Sequence, residues 1–508
     1  MKVVVDLNRC QGYGQCVYAA PNIFQLKGPE ILAYDPAPPE QWRDEVERAA
    51  HVCPVRAIRA EVDSPLVDPT STERDAAGLA DQSFASPSRI VVAGASLAGL
   101  SAAETLRDLG YHGDLVLIGD EPHPPYDRPP LSKQVLTRRL STDTSLPQPR
   151  DLNIDWRLGA AARGIDLIAG RIELANGGAL DYDRFLIATG TRARPWPKPD
   201  EASVDGVLTL RGRDGAERLT QRLAASPGRV VIIGGGFIGC ELASCCREMG
   251  LAVTIVESES VPMRRALGQR IGAFMATVIR DYGVDLRLGA AVERIEAGNA
   301  STVAAVILRD GTRIDTDLVV IVALGAQRNV EWLEGSGLLT SSWGLRCDAF
   351  CRALKGDGSP APGVFAAGDV AHWPLADNDG HLVAVEHWGN AVEQARMAAR
   401  NMLAGDITGM RIHRHLPDFW SSQFALNIKC VGLADGADEM AIAQGSVQER
   451  RFLAVFGRRG RTIAALSVNS ARWLPTYRAM IEESAPFPPI RGAVDQPRIR
   501  KEPASALC

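Results

Sequence analysis

The sequence predicts a mixed α/β chain of several domains, two of them doubly wound around parallel sheets. Three observations carry that expectation. Residues 90–101 and 229–243 each read as a buried apolar strand, a tight turn of glycine and small residues, and a helix start. At 508 residues the chain is longer than one ordinary hydrophobic core supports. A short N-terminal stretch carries Cys10, Cys16 and Cys53 within its own strand and helix pattern. A strand, tight turn and helix lay a dinucleotide pyrophosphate on the helix N-terminus. The two units are therefore read as Rossmann-like nucleotide-binding domains, preceded by a small α+β iron–sulfur module and followed by a C-terminal α/β domain.

Composition narrows the function classes. With 46 % hydrophobic and 23 % charged residues the chain reads as globular. A formal charge of −5 gives no electrostatic reason for a nucleic acid or a membrane surface as partner. No apolar run reaches the roughly 18 residues of a membrane-spanning candidate. The N-terminus turns polar too early for a secretory segment, so the cytoplasm is expected. In a reducing compartment, ten cysteines point to metal ligands or buried thiols before disulfides.

Residues 1–62 form the first expected domain. Cys10-Gln11-Gly12-Tyr13-Gly14-Gln15-Cys16 is followed after a spacer by Cys53-Pro54. This is the C-x2-C-x2-C and remote C-P pattern of clusters, with Tyr13 in the middle position. Three thiolates suit a 3Fe–4S cluster. A 4Fe–4S cluster with a non-cysteine fourth ligand is the alternative, and three unrelated core thiols the plain structural one. Glycines 12 and 14 let the loop wrap closely around sulfides. Residues 2–6 and 55–61 read as strands and 39–51 as a helix. The stretch resembles the single-cluster bacterial ferredoxins that serve cytochrome P-450 monooxygenases. Residues 63–88, rich in Asp, Ser, Thr, Ala and Pro, read as a flexible linker reaching roughly 28 Å.

Residues 89–196 open the first nucleotide fold. The turn Gly94-Ala95-Ser96-Leu97-Ala98-Gly99 has Ser96 where the middle glycine of G-x-G-x-x-G belongs. Its small hydroxyl side chain still permits close approach and offers a donor to phosphate. A helix is expected through residue 109, ended by Gly110, then a strand over 115–118 that ends at Gly119-Asp120. Asp120 is placed to accept from adenosine ribose hydroxyls.

The segments Tyr126-Asp127-Arg128-Pro129-Pro130-Leu131-Ser132-Lys133 and Asp181-Tyr182-Asp183-Arg184-Phe185-Leu186-Ile187-Ala188-Thr189-Gly190-Thr191 make a family visible. From about residue 89 to 480 the chain resembles the FAD-dependent ferredoxin, putidaredoxin and rubredoxin reductases of the glutathione-reductase superfamily. The resemblance implies that FAD is held by Gly94, Ser96, Leu97, Ala98, Gly99, Thr189 and Gly190. It further places Arg128 at FAD phosphate or adenosine and Lys133 beside the isoalloxazine edge. Disulfide reductases of the superfamily carry a cysteine pair on the helix here; residues 129–140 hold none. The second acceptor must then be something other than a thiol pair, and the upstream cluster fills that place.

Residues 197–323 hold the second unit, with Gly234, Gly236 and Gly239 as a full G-x-G-x-x-G around Phe237 and Ile238. The following strand, 253–257, ends in Glu257, which can hydrogen-bond a free ribose 2′-OH and would repel a 2′-phosphate. NADH is expected in preference to NADPH, although Arg264 and Arg265 follow closely and could serve a 2′-phosphate. By the resemblance Glu241 approaches the nicotinamide and pairs with Lys133 near flavin N5. Cys240, Cys245 and Cys246 on the same helix read as packing thiols.

A strand over 317–325, with Gly325 at its end, is expected to return the chain to the FAD domain, residues 324–408. Gly363-Val364-Phe365-Ala366-Ala367-Gly368-Asp369 resembles the family's second FAD fingerprint, with Asp369 at a ribityl hydroxyl. Glu386, His387 and Trp388 open a helix through residue 403, and the resemblance sets Trp388 against the flavin where a ferredoxin docks. Ala326-Gln327-Arg328-Asn329 departs from the family's proline before Asn, and no function is attached to that. Residues 409–508 resemble the family's C-terminal domain at Pro417-Asp418-Phe419-Trp420-Ser421-Ser422-Gln423, with strands at 428–433, 452–456 and 462–467. An irregular tail is expected over 486–508.

The whole reads as an NAD(P)H-dependent ferredoxin reductase fused to its own ferredoxin. Hydride passes from NADH to FAD, then single electrons to the cluster and on to a terminal redox protein, which the resemblance makes a cytochrome P-450 monooxygenase. The alternatives are an NADH oxidase, a quinone or oxygenase reductase, and a redox sensor without turnover.

Overall fold

The computed structural model describes residues 1–6, 10, 12–27, 31–53, 57–61, 87–146, 151–298, 301–316, 319–375 and 380–489. Nearly all of the expected linker and of the expected tail lie outside the described residues, as do Pro54, the first two positions of the strand expected over 55–61 and the first two of the strand expected over 317–325. The chain forms two compact units. The first takes Met1–Tyr126, Ser145–Thr191 and Arg328–Pro417; the second takes Asp127–Thr144, Arg192–Gln327 and Asp418–Cys508.

The core of the first unit is a six-stranded sheet. Its order is Arg352–Leu354, Pro360–Ala366, Arg184–Ile187, Arg89–Ala93, Asp114–Ile118 and Asp155–Arg157. Pairing is parallel except at the first pair. Strands covered on both faces must be apolar throughout, as Ile90–Ala93 and Leu115–Ile118 are, all 4 % exposed or less. The helix Leu97–Asp108 starts within the stretch read as a helix start and stops where Gly110 adopts φ +82°. It shares a core with the helix Trp388–Leu403. Ala102, Ala103 and Leu106 meet Ala395, Ala398, Ala399 and Met402 there, and the small residues let the two backbones approach.

The N-terminal segment of this unit has its own small frame. Strands Lys2–Val5 and Ile58–Glu61 pair antiparallel, and a hairpin joins Phe24–Lys27 to Ile31–Tyr34. The short helix Gln15–Ala19 and the helix Arg43–His51, entered through a 3-10 turn at Glu40–Trp42, complete it.

The second unit centres on a parallel five-stranded sheet. Its order is Val207–Leu208, Val319–Val322, Arg229–Ile233, Ala252–Glu257 and Asp285–Leu288. Residues 418–489 add an antiparallel sheet, ordered Asp418–Gln423, Leu426–Gly432, Arg461–Val468, Arg451–Arg458 and Glu439–Ser446, followed by the helix Leu474–Glu482. Pattern reading finds three of those five strands. The segment 127–144 corrects another expectation. It is not a helix but a 3-10 turn, Pro129–Ser132, followed by turns: the prolines occupy first-turn positions that a helix tolerates, and the chain leaves helical geometry at Lys133, φ −135° and ψ −102°. Among the described residues no helix is long and apolar enough to cross a membrane.

Candidate active site

The two glycine turns are built alike, and each has a steric reason for its glycines. Gly94 sits at φ +122°, and a Cβ there would lie 2.1 Å from the Ala188 carbonyl oxygen. A Cβ on Gly99 would lie 2.1 Å from the Gly94 oxygen. In the second unit Gly234 (φ +111°) meets the Ala323 oxygen at 2.4 Å, and Gly239 meets the Gly234 oxygen at 2.0 Å in the same sense. No side chain fits at any of the four, so the strand, turn and helix close tightly and the helix N-terminus stays bare. Ser96 and Gly236 occupy equivalent N-cap positions in extended backbone. Ser96 makes no side-chain cap hydrogen bond, and neither helix has an acidic residue in its first turn, which would repel a phosphate. Leu97–Ala98 and Phe237–Ile238 begin the helices, and Ile238 is 41 % exposed.

Around the first turn the structure gathers three separated segments. Ala188 stands against Gly94, as above. Thr189 and Gly190 follow, held by Asn329: its Nδ2 donates to the Thr189 oxygen at 2.8 Å and its backbone amide to the Gly190 oxygen at 3.1 Å. Gly368, at φ +77°, comes so close to Ala98 that a Cβ would lie 3.3 Å from the Ala98 Cβ. Its amide donates to Gln394 Oε1 at 2.9 Å, while Asp369 accepts from Thr191 Oγ1 at 3.3 Å. These residues fit FAD: a bare helix N-terminus, a glycine cradle and a carboxylate stand in one place. Asp120 is exposed just past its strand and accepts from the Glu121 amide at 3.0 Å.

Glu386, expected at the cofactor, is bound by a residue that sequence reading passed over. Arg328, only 8 % exposed on its side chain, places Nη1 2.6 Å from Glu386 Oε1. His387 is the N-cap of the following helix, and Trp388, its first residue, is half-buried.

In the second unit the Lys133–Glu241 pair forms. Lys133 Nζ lies 2.7 Å from Glu241 Oε2, with both side chains at most 10 % exposed. Ser132 Oγ donates to the same oxygen at 2.5 Å, and Ser421 Oγ to Oε1 at 2.6 Å. An ionised carboxylate out of water needs hydrogen-bond donors, and here three supply both of its oxygens. Ser132 and Ser421 went unrecognised in the sequence. The signal was strand alternation, which turns 421 and 423 inward and 422 out. Arg128 Nη1 donates to the Arg211 oxygen at 3.2 Å, and Gly325 accepts from the Arg194 amide at 2.9 Å. Both belong to this unit, as does Lys133.

Glu257 ends its strand and is fixed by backbone. Gly235 N donates to Oε2 at 2.6 Å and Glu259 N to Oε1 at 2.8 Å. Arg264, a possible phosphate ligand by sequence, is engaged with Glu259 at 3.1 Å. Cys245 and Cys246 are buried thiols that burial pushes up to about 12, so they stay protonated and inert. Burial also pushes Cys240 up.

In the N-terminal segment Cys16 is buried, and burial raises its thiol well above the ordinary range. The nearby Cys53 and Cys10 add to the rise, which sets both sulfurs in the neighbourhood of Cys16. Gly12 and Gly14 both take positive φ, +67° and +79°. Cys53 Sγ accepts from the Ala57 amide at 3.3 Å. Tyr13 is buried at 6 % exposure. Among the described residues no three His, Cys, Asp or Glu side chains could hold a single metal ion. A cluster spreads its thiolates over separate irons, so neighbouring thiols that do not converge on one ion fit it.

Residues 88–395 match the model of the pyridine nucleotide-disulphide oxidoreductase family. The chain belongs to that family. Residues 418–501 match the reductase C-terminal model, and 3–60 match the 4Fe-4S single cluster domain. Rhodocoxin reductase of Rhodococcus erythropolis is 36 % identical over 409 residues, 80 % of this chain and 92 % of that one. The ferredoxin reductase component of chlorobenzene dioxygenase from a Cupriavidus species is 33 % identical, covering 79 % and 94 %. The solved ferredoxin reductase for the CYP199A2 system of Rhodopseudomonas palustris superposes with a TM-score of 0.70. It is 32 % identical and covers 79 % of this chain and 98 % of its own. The chain is thus an oxidoreductase of the ferredoxin reductase type, with an iron–sulfur domain ahead of it.

Proposed function

We propose that this chain uses NADH to reduce its own N-terminal cluster through FAD, and that the cluster serves an external oxygenase. The observation that carries the reading is the buried Lys133–Glu241 pair in the segment that holds no cysteine pair. Bound FAD would supply a carrier that takes two electrons with a hydride and releases them singly, and the cluster a one-electron carrier.

The chain's residues then have distinct tasks. Gly94 and Gly99 let the backbone reach the FAD pyrophosphate at the bare N-terminus of the helix Leu97–Asp108. Gly234, Gly236 and Gly239 do the same for NADH. Glu257, its carboxylate fixed by two amides, accepts from the ribose 2′-OH and repels a 2′-phosphate. Lys133 and Glu241 hold the nicotinamide ring in line for hydride departure. Cys10, Cys16 and Cys53 ligate the cluster, and three cysteines with buried Tyr13 in the middle position favour 3Fe–4S. The reducing cytoplasm suits the free thiols Cys240, Cys245 and Cys246.

The terminal acceptor on this reading is a cytochrome P-450 monooxygenase, in line with the CYP199A2-system reductase. A non-haem dioxygenase is the second reading, favoured by the chlorobenzene dioxygenase component. NADH-driven reduction of cytochrome c tests the electron order. It is expected to vanish in Cys10→Ala while NADH still bleaches the flavin. Full cytochrome c reduction by that variant would overturn the reading.

A further inference from the structure

Glu241 has a partner on the far side from Lys133 that no part of the nucleotide fold supplies. We infer that Ser421, oriented by Gln423, is a positioning residue for hydride transfer and acts through Glu241 and Lys133. The inference rests on the role proposed above for that pair.

Counting hydrogens fixes the direction of the network. An ionised carboxylate only accepts, so every partner of Glu241 must donate. Oε2 takes Lys133 Nζ at 2.7 Å and Ser132 Oγ at 2.5 Å. Oε1 takes Ser421 Oγ at 2.6 Å. Ser421 has one hydroxyl hydrogen, and Gln423 Nε2 donates to its oxygen from 2.9 Å. The hydrogen is thereby left for Glu241. The order of donation runs from Gln423 to Ser421 to Glu241, with Gln423 Nε2 also 3.8 Å from Met263 Sδ.

The tether restrains a torsion that is otherwise soft. The terminal torsion of a glutamate is broad, and a carboxylate held only at Oε2 could swing about it. With Oε1 anchored as well, Lys133 meets one oxygen in one place. Catalytic geometry loose by even an ångström slows a reaction severely. The burial of these groups fits such a task. Ser421 is 1 % exposed and Gln423 3 %, on a strand whose next residue, Ser422, faces out and bonds Asn427 Oδ1 at 3.1 Å.

The test compares full-length holoprotein variants in anaerobic single-turnover reduction by NADH. In Ser421→Ala the limiting rate of flavin reduction at saturating NADH is expected to fall about tenfold. The dissociation constant for NAD+ should stay within about twofold, because no binding contact is removed. Ser421→Thr keeps the hydroxyl and should restore the rate, and Ser422→Ala should match wild type. Crystals of Ser421→Ala should show the Glu241 carboxylate turned from its wild-type plane, and those of Ser421→Thr should not. Equal losses in the Ala and Thr variants would mark a packing defect and overturn the inference. A wild-type rate in Ser421→Ala, with Glu241→Gln impaired, would overturn it and leave the pair's role standing. A wild-type rate in Glu241→Gln as well would remove that role and this inference together.

Discussion

Glu257 and Glu241 lie in one nucleotide fold and are held in different ways, which suits different tasks. Side chains hold Glu241, whereas two backbone amides, Gly235 of the glycine turn and Glu259 of the loop that follows, hold Glu257. Backbone donors cannot withdraw, so Glu257 presents a fixed charge, which on the proposed function meets the ribose. A 2′-phosphate there would bring nearly two like charges within a few ångströms. Wild-type protein is expected to favour NADH in kcat/KM, and Glu257→Ala should narrow that preference at least about tenfold, the worth of one hydrogen bond to charge. An unchanged ratio would show that the carboxylate does not read the ribose. His413 gives a second prediction at this scale. It is 2 % exposed and packs edge-on against Trp373 at 4.7 Å. Burial first, and His415 second, lower its pKa to about 3, against about 6.5 in an unfolded chain. Between those values the unfolded state binds the extra proton, so stability is full above the upper one and falls as pH drops toward the lower one. Urea unfolding should show a loss of up to about 1.4 kcal/mol per pH unit in that window, and His413→Phe should flatten it.

Among the elements, the entry to the helix Trp388–Leu403 depends on a long-range ion pair. Arg328 reaches Glu386 at 2.6 Å and the Ala384 carbonyl at 3.5 Å, fixing the segment that leads into Trp388. Glu386 is 36 % exposed on its side chain, so water can solvate it once the arginine is gone. Arg328→Met should therefore cost about 1–2 kcal/mol rather than the larger penalty of a stranded buried charge. Chemical denaturation reads that directly, and a variant as stable as wild type would show the pair to be idle. Arg328 also marks what a sequence can tell. The glycine turns were legible because steric necessity writes them locally: Gly94, Gly99, Gly234 and Gly239 each sit where a Cβ collides with backbone. The central parallel strands within 90–93, 115–118, 229–233 and 253–257 were legible as apolar runs, whereas the edge strands Asp155–Arg157 and Asp285–Leu288, which carry charges, were not. Arg328, Ser132, Ser421 and Gln423 were not, because their partners lie far along the chain and no period joins them. The strand Glu439–Ser446 was hidden by a register shift between Ile442 and Gln444, which breaks its alternation. The turn at Pro129–Ser132 was hidden by a family resemblance that suggested a helix.

For the whole molecule, the two units divide the chemistry. The first holds the glycine turn proposed for FAD, the Gly368–Asp369 segment and the three N-terminal cysteines. The second holds the turn proposed for NADH, Glu257 and the Lys133–Glu241 pair. Fusing a one-electron carrier to its reductase raises the carrier's effective concentration at that reductase. It also relaxes the need for charge steering, in keeping with the balanced acidic and basic residues of the first 60 positions. The central claim is that electrons from NADH reach the cluster held by Cys10, Cys16 and Cys53. An anaerobic NADH titration followed together by optical absorbance and EPR tests it most directly. The account predicts a paramagnetic oxidised 3Fe–4S signal that disappears as NADH is added, with flavin bleaching in the same titration, and no such signal in Cys16→Ala. A flavin that reduces fully while the cluster signal stays unchanged would contradict it.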